Sequence, residues 1–272
     1  MKVLFIGAGS MAEAIISGAV MSKVLNPLET YVTNRMNTER LSELTARYHV
    51  QVSYDTEALI QNCDVILLAV KPKDCYDILL KIKPFVQKSQ LILSVLAGIS
   101  ISFINETLNK DVSIIRAMPN TSATLRQSAT ALSFNEKVSN EQRQWAFSLF
   151  NSIGTCVEVE ENQLDLITAL SGSGPAYVYY ISEILEEAAI KLGLDSTIAN
   201  SLITQTIIGA GGMLKESGLK AGTLRKNVTS EGGTTEAGIQ ALQEHNIKEA
   251  FNHCIEKATE RAEQLRYQFQ YK

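Results

Sequence analysis

Gly7-Ala8-Gly9-Ser10-Met11-Ala12 has the spacing G-x-G-x-x-A, directly after an apolar run at 3–6 and ahead of a helical pattern over 10–22. Such a turn does its chemistry through what it omits. Gly7 permits the tight turn, Gly9 puts no side chain in the way of a pyrophosphate, and Ala12 lets the following helix lie close to a sheet. The first N–H groups of that helix have no intrahelical partner and can meet phosphate oxygens. The segment predicts a dinucleotide site, with Ala8, Ser10 and Met11 completing the turn.

The end of the second strand selects the cofactor. A site for NAD places Asp or Glu there to hold the ribose hydroxyls. This chain has Asn34-Arg35 instead. The planar fork of Arg35 can pair with a 2′-phosphate, and Asn34 adds no charge to repel it. NADPH is the expected reductant, with NADH as the alternative. Three further strand ends should border the cofactor: Ala69-Val70-Lys71-Pro72, Ala97-Gly98, and Met118-Pro119-Asn120. Pro72 disfavours helical geometry at Lys71, Gly98 could leave room on the nicotinamide side, and Pro119 holds Asn120 beyond its strand.

Two loops of small residues lie in the second half, Ser171-Gly172-Ser173-Gly174-Pro175-Ala176-Tyr177 and Thr229-Ser230-Glu231-Gly232-Gly233-Thr234-Thr235-Glu236. Both precede helical patterns. Their glycines expose backbone N–H groups and their hydroxyls add donors, a nest suited to a small carboxylate. The bland alternative is ordinary capping, with Thr234 or Thr235 as the cap. No His, Cys or paired carboxylate stands out as an acid–base group. Hydride transfer needs none as a nucleophile; it needs a nicotinamide held against an electrophilic carbon.

The elements that must position these residues are legible in the hydrophobic pattern. Apolar runs at 3–6, 30–33, 65–70, 91–95, 112–117, 130–134 and 155–159 alternate with helical patterns, including 10–22, 38–48 and 141–152. Unbroken apolar strands are buried on both faces, so helices must cover them. The reading is an α/β Rossmann-type N-terminal domain over 1–161, mostly parallel and doubly wound, whose later strands could include an antiparallel edge. From 162 to 272 the pattern is helical, at 164–192 with a break at Gly172, Gly174 and Pro175, then at 196–214, 234–243 and 247–268. Gly193 reads as the cap of the first of these. Several of these helices are apolar on more than one side, which predicts an all-helical C-terminal dimerisation domain; the bland alternative is a helical domain that packs only on its own first domain.

Composition narrows the class. The 272 residues are 45% hydrophobic and 20% charged, the balance of a globular protein. A formal net charge of -4 disfavours nucleic acid as a partner. No apolar run approaches the roughly 18 residues of a membrane span, and the apolar start reads as a buried strand rather than a leader. Cys63, Cys75, Cys156 and Cys254 form no C-x-x-C, and His49, His245 and His253 no cluster, so no metal site is expected. Free thiols suit a reducing cytoplasm.

Taken together, these segments resemble the pyrroline-5-carboxylate reductase family almost end to end. The most specific stretch is 224–238, LRKNVTSEGGTTEAG, joined by Ser171 to Tyr177, Met118 to Thr121 and Ala69 to Pro72. The resemblance implies reduction of the cyclic imine 1-pyrroline-5-carboxylate to L-proline with NADPH or NADH, the last step of proline synthesis. It implies dimers of interlocked helices, often assembled into decamers. By the same resemblance, the nicotinamide lies near Met118, Pro119 and Asn120. Ser230, Gly232, Gly233 and Thr234 hold the substrate carboxylate, and the Thr235 hydroxyl lies near the imine nitrogen. Three positions depart from the family pattern: Ser10 replaces the usual Asn, Ser122 a frequent Pro, and Glu231 the usual Pro. A reductase of a related small imino acid is one competing enzyme and a dehydrogenase of small 3-hydroxy acids another, though neither Lys191 nor Lys215 lies in the Gly-rich setting the latter's catalytic Lys requires. A non-catalytic dinucleotide-binding regulator is the remaining alternative.

Overall fold

A computed structural model describes residues 1–270 of the chain. The first part alternates strand and helix: β1 (Val3–Ile6), α1 (Ser10–Met21), β2 (Thr30–Thr33), α2 (Thr38–Tyr48), β3 (Gln51–Val52), α3 (Thr56–Asn62), β4 (Val65–Leu68), α4 (Cys75–Ile82), β5 (Leu91–Ser94), α5 (Ile101–Leu108), β6 (Ser113–Met118), β7 (Ser128–Phe134), α6 (Asn140–Asn151) and β8 (Gly154–Glu158). Helices follow: α7 (Leu164–Ile167), α8 (Gly174–Lys191), α9 (Ser196–Glu216), α10 (Ala221–Asn227), α11 (Thr234–Glu244) and α12 (Ile247–Gln270). This is the predicted class, a Rossmann-type sheet followed by helices.

All eight strands form one sheet in the order β3-β2-β1-β4-β5-β6-β7-β8. Pairing is parallel except between β6 and β7, where Arg116 faces Ser133 in antiparallel register. Because side chains alternate across a strand, β1 feeds two cores. Val3 and Phe5 pack with Ile15, Ile16 and Phe150 on one face. Leu4 and Ile6 pack with Leu79, Phe103 and Ile104 on the other. Each such buried side chain contributes about 1.5–3 kcal/mol, so both faces must be covered for the sheet to be stable.

Contacts divide the chain into two compact units. One is Met1–Pro175 together with the chain from Lys257 on; the other is Ala176–Glu256. The strand pattern ends near the expected 161/162 boundary, but the contact boundary lies later because α7 and the turn after it pack on the sheet unit. The second unit is helical throughout, and Gly193, at φ +97°, ends α8 as its glycine suggested. Ala199 is its one buried hydrophobic residue among those described. Ile198, Leu202 and Ile208 of α9 remain 50%, 59% and 60% exposed, far more apolar surface than a finished helical core leaves in water. No described helix is long and apolar enough to cross a membrane.

Candidate active site

The order of the sheet makes the site. Connections run outward in opposite senses from β1 and β4, and ligands in such sheets bind beyond the carboxyl ends of the strands at this switch point. Ile6 is in register with Thr33 and with Leu68, so the turns after β1, β2 and β4 emerge side by side.

Gly7 has φ +113°, and a Cβ there would stand 2.2 Å from the Ala69 carbonyl oxygen. Its N–H donates to Thr33 O at 2.9 Å. Glycine is therefore obligatory where three strands meet. Gly9 differs: it has extended backbone at the start of α1, and nothing lies within 4 Å of the Cβ it lacks. No neighbouring atom obstructs that side of the turn. The N–H groups of Gly9, Ser10 and Met11 have no hydrogen-bond partner among the described residues. Ala12 is fully buried against the sheet. These features fit a dinucleotide.

A cavity of about 590 Å³ adjoins this turn, lined by Gly7, Asn34, Arg35 and Val70 among others. Asn34 is committed to its own loop: Nδ2 donates to Asn37 O at 2.7 Å, and Oδ1 accepts from Asn37 N at 2.9 Å. Arg35 is exposed and makes no ion pair or hydrogen bond among the described residues, so its guanidinium is available to an anion. Tyr54, Asp77 and Lys81 also line the cavity and were missed from sequence. Tyr54 follows the two-residue strand β3, and the other two lie on α4, elements too short to announce themselves by periodicity. Lys71 has the extended backbone Pro72 imposes, at φ -70° and ψ 139°; β4 stops at Leu68 rather than 70.

Two expected contacts change their meaning. Gly98 has φ +72°, but the space beyond its Cα is filled by Arg266 N, 3.3 Å from a notional Cβ, and by the Phe269 ring. The missing side chain of Gly98 makes room for α12, while neighbouring Ala97 is half-buried. Asn120 is buried, and its side chain bonds to two backbone groups of the chain. Its Oδ1 accepts from Ser122 N at 3.1 Å, and its Nδ2 donates to Ser171 O at 3.0 Å. It clamps the start of the first small-residue segment: Ser171 and Gly172 end a π-helical turn over Thr168–Gly172, a form frequent at functional sites, and Gly174 to Tyr177 already belong to α8 rather than to a loop. Met118 closes on the same turn: a Cβ on Gly172 would come 2.7 Å from its Cε. Pro119 is buried between the two.

Arg116 was also missed. It is 4% exposed on β6, and Nη1 donates to Glu161 Oε1 at 2.8 Å. The same carboxylate oxygen accepts from Ile101 N at 2.7 Å at the start of α5. With Asp165 accepting from Arg266 Nε at 2.8 Å, these pairs fasten the approach to the π turn.

In the helical unit the second loop is a turn opening into α11. Gly232 has φ +68°, and Gly233 N donates to Ser230 O at 3.0 Å. The helix N-cap is Gly233, without a side-chain cap, so neither Thr234 nor Thr235 is spent on capping. Glu236 reaches back instead, and its Oε2 accepts from Gly232 N at 2.8 Å. Two of the expected anion donors, the N–H groups of Gly232 and Gly233, are therefore already engaged. The N–H groups of Thr234, Thr235 and Glu236 and the hydroxyls of Ser230 and Thr235 have no partner among the described residues.

A doubly wound sheet with an open phosphate turn at its switch point defines a dinucleotide-binding protein of the Rossmann class. Comparisons refine this. Residues 161–265 match the model of pyrroline-5-carboxylate reductase dimerisation, and 2–98 that of NADP oxidoreductase, coenzyme F420-dependent. Pyrroline-5-carboxylate reductase 2 of Bacillus subtilis is 46% identical over 98% of this chain and 96% of its own. The structure of a pyrroline-5-carboxylate reductase from Coxiella burnetii is 37% identical, with a TM-score of 0.92 over 97% of this chain and 98% of that one. The Plasmodium falciparum pyrroline carboxylate reductase with NADP bound is 29% identical, with a TM-score of 0.85 over 98% of both chains. The chain belongs to the pyrroline-5-carboxylate reductase family.

Proposed function

We propose that this protein reduces 1-pyrroline-5-carboxylate to L-proline, the last step of proline synthesis, with NADPH as the preferred reductant. The 46% identity to the Bacillus subtilis reductase over nearly the whole of both chains carries the reading. The turn at Gly7–Met11 would hold the pyrophosphate and Arg35 the 2′-phosphate, with Asn34, Ala69–Pro72, Ala97, Gly98 and Met118–Asn120 bordering the cofactor. When bound, NADPH supplies the hydride.

The chain's own part is orientation and charge. The open N–H groups at the start of α11, with the Ser230 hydroxyl, would anchor the substrate carboxylate; the helix dipole favours an anion there. Gly232 and Gly233 shape that turn, and Thr234 begins it. Thr235 would donate a hydrogen bond toward the imine nitrogen, where electron density builds as the carbon takes the hydride, and solvent would supply the proton that completes the amine. We place the substrate-binding and dimerisation domain over 162–272, with a second copy covering the exposed face of α9. Dimers would assemble further into decamers. Four free thiols suit a cytoplasmic location.

The test follows NADPH and NADH oxidation with pyrroline-5-carboxylate and identifies the product. Proline formed with a lower KM for NADPH is expected; absence of turnover with either cofactor ends the reading. Arg35→Ala should weaken NADPH about tenfold or more and leave NADH nearly unchanged. Equal loss of both would remove Arg35 from phosphate recognition.

A further inference from the structure

Arg40, in the first turn of α2, joins two turns that are distant in sequence. Its Nε donates to Ala8 O at 2.9 Å, inside the phosphate turn. Its backbone N–H donates to Asn37 Oδ1 at 2.9 Å, closing the 34–37 loop that carries Arg35. The rest of the guanidinium is bound by carboxylates: Nη2 donates to Glu13 on α1, and Nη1 to Glu43 at 2.9 Å. Glu13 is itself held by Arg47 Nη1 and the Tyr48 hydroxyl, each at 3.0 Å.

We propose that Arg40 is a positioning residue that locks the phosphate turn and the Arg35 turn into one register, and thereby sets the preference for a 2′-phosphorylated dinucleotide. This rests on the NADPH reading above. Three physical points carry it. In a trans peptide the C=O and the next N–H point in opposite directions, so pinning Ala8 O fixes the direction of the unpartnered Gly9 N–H. Asn34 and Asn37 bond reciprocally on either side of Arg35, and the Arg40 backbone holds the Asn37 side chain, so the three residues brace the one free guanidinium of this loop. Finally, Glu13 and Glu43 already offset the charge of Arg40, which leaves Arg35 to meet the phosphate. Only a planar fork serves Ala8, Glu13 and Glu43 at once; a lysine amine is a single point on a flexible stem.

The experiment is a double-mutant cycle read by fluorescence titration of NADPH and NADH, without substrate. Arg40→Met should weaken NADH about threefold, through the phosphate turn alone, and NADPH about thirtyfold, through both turns. In an Arg35→Ala background, Arg40→Met should weaken NADPH only about threefold, because the residue being positioned is gone. The same NADPH loss in both backgrounds would overturn the proposal, as would wild-type NADPH affinity in Arg40→Lys. Should Arg40→Met fail to fold by circular dichroism, Arg40→Lys carries the same cycle. Because binding is read directly, a wild type that holds NADPH but turns over no pyrroline-5-carboxylate defeats the proposed reaction and leaves this test intact.

Discussion

Thr235 shows how little acid–base machinery the site offers. Its hydroxyl is half-buried and unpartnered among the described residues, beside three open N–H groups. An alcohol is a poor acid, so its use would be a hydrogen bond that strengthens as charge shifts at nitrogen. Thr235→Ala should lower kcat about tenfold or more while leaving the KM for NADPH within about twofold. Steady-state kinetics with each substrate varied decide it; an unchanged kcat removes Thr235 from the reaction. Glu13 gives a prediction in pH. Partial burial works against its ionised form, but hydrogen bonds from Arg40, Tyr48 and Arg47 outweigh that and hold its carboxyl below the ordinary value of 4.5. A depressed pKa contributes stability that is present above about pH 4.5 and lost as pH falls through the lower folded value. Glu13→Gln should thus unfold more readily than wild type near neutrality and converge with it in acid, as measured by denaturant midpoints across pH.

At the scale of elements, the sequence disclosed whatever repeats and concealed whatever is brief or distant. Strands β1, β2 and β4 and helices α1, α9 and α12 show in runs and periods because burial selects apolar residues at each turn or alternate position. Strand β3 has two residues and leaves no pattern, so Tyr54 went unnoticed. Arg40, Arg116 and Glu161 owe their roles to partners 32 to 60 residues away in the chain, which no local window contains. Gly98 and Asn120 have a further role that no local window shows: the missing side chain of one and the amide of the other face distant parts of the chain. Asn120 makes the point testable. Asn120→Ala removes both the cap on Ser122 and the clamp on the half-buried Ser171 carbonyl, and should cost about 1–2 kcal/mol. Chemical denaturation measures that cost. A loss below about 0.5 kcal/mol would mean that the π turn holds itself.

For the whole molecule, the imbalance between the two units is the main fact. The sheet unit buries both its cores, whereas the described residues of Ala176–Glu256 bury a single apolar side chain. A second copy covering α9 would supply the missing burial. Leu202→Glu, 59% exposed in one chain, should shift the protein to smaller species in sedimentation at micromolar concentration and lower activity with it. An unaltered assembly would place the interface elsewhere.

Helix α12 begins in the helical unit and ends in the sheet unit, where Arg266 and Phe269 lie over Gly98. A ribosome makes Leu96, Ile99 and Phe103 more than 160 residues before it makes their cover. During synthesis the nascent sheet must wait with that flank bare, vulnerable to aggregation, until Arg266 and Phe269 have been made.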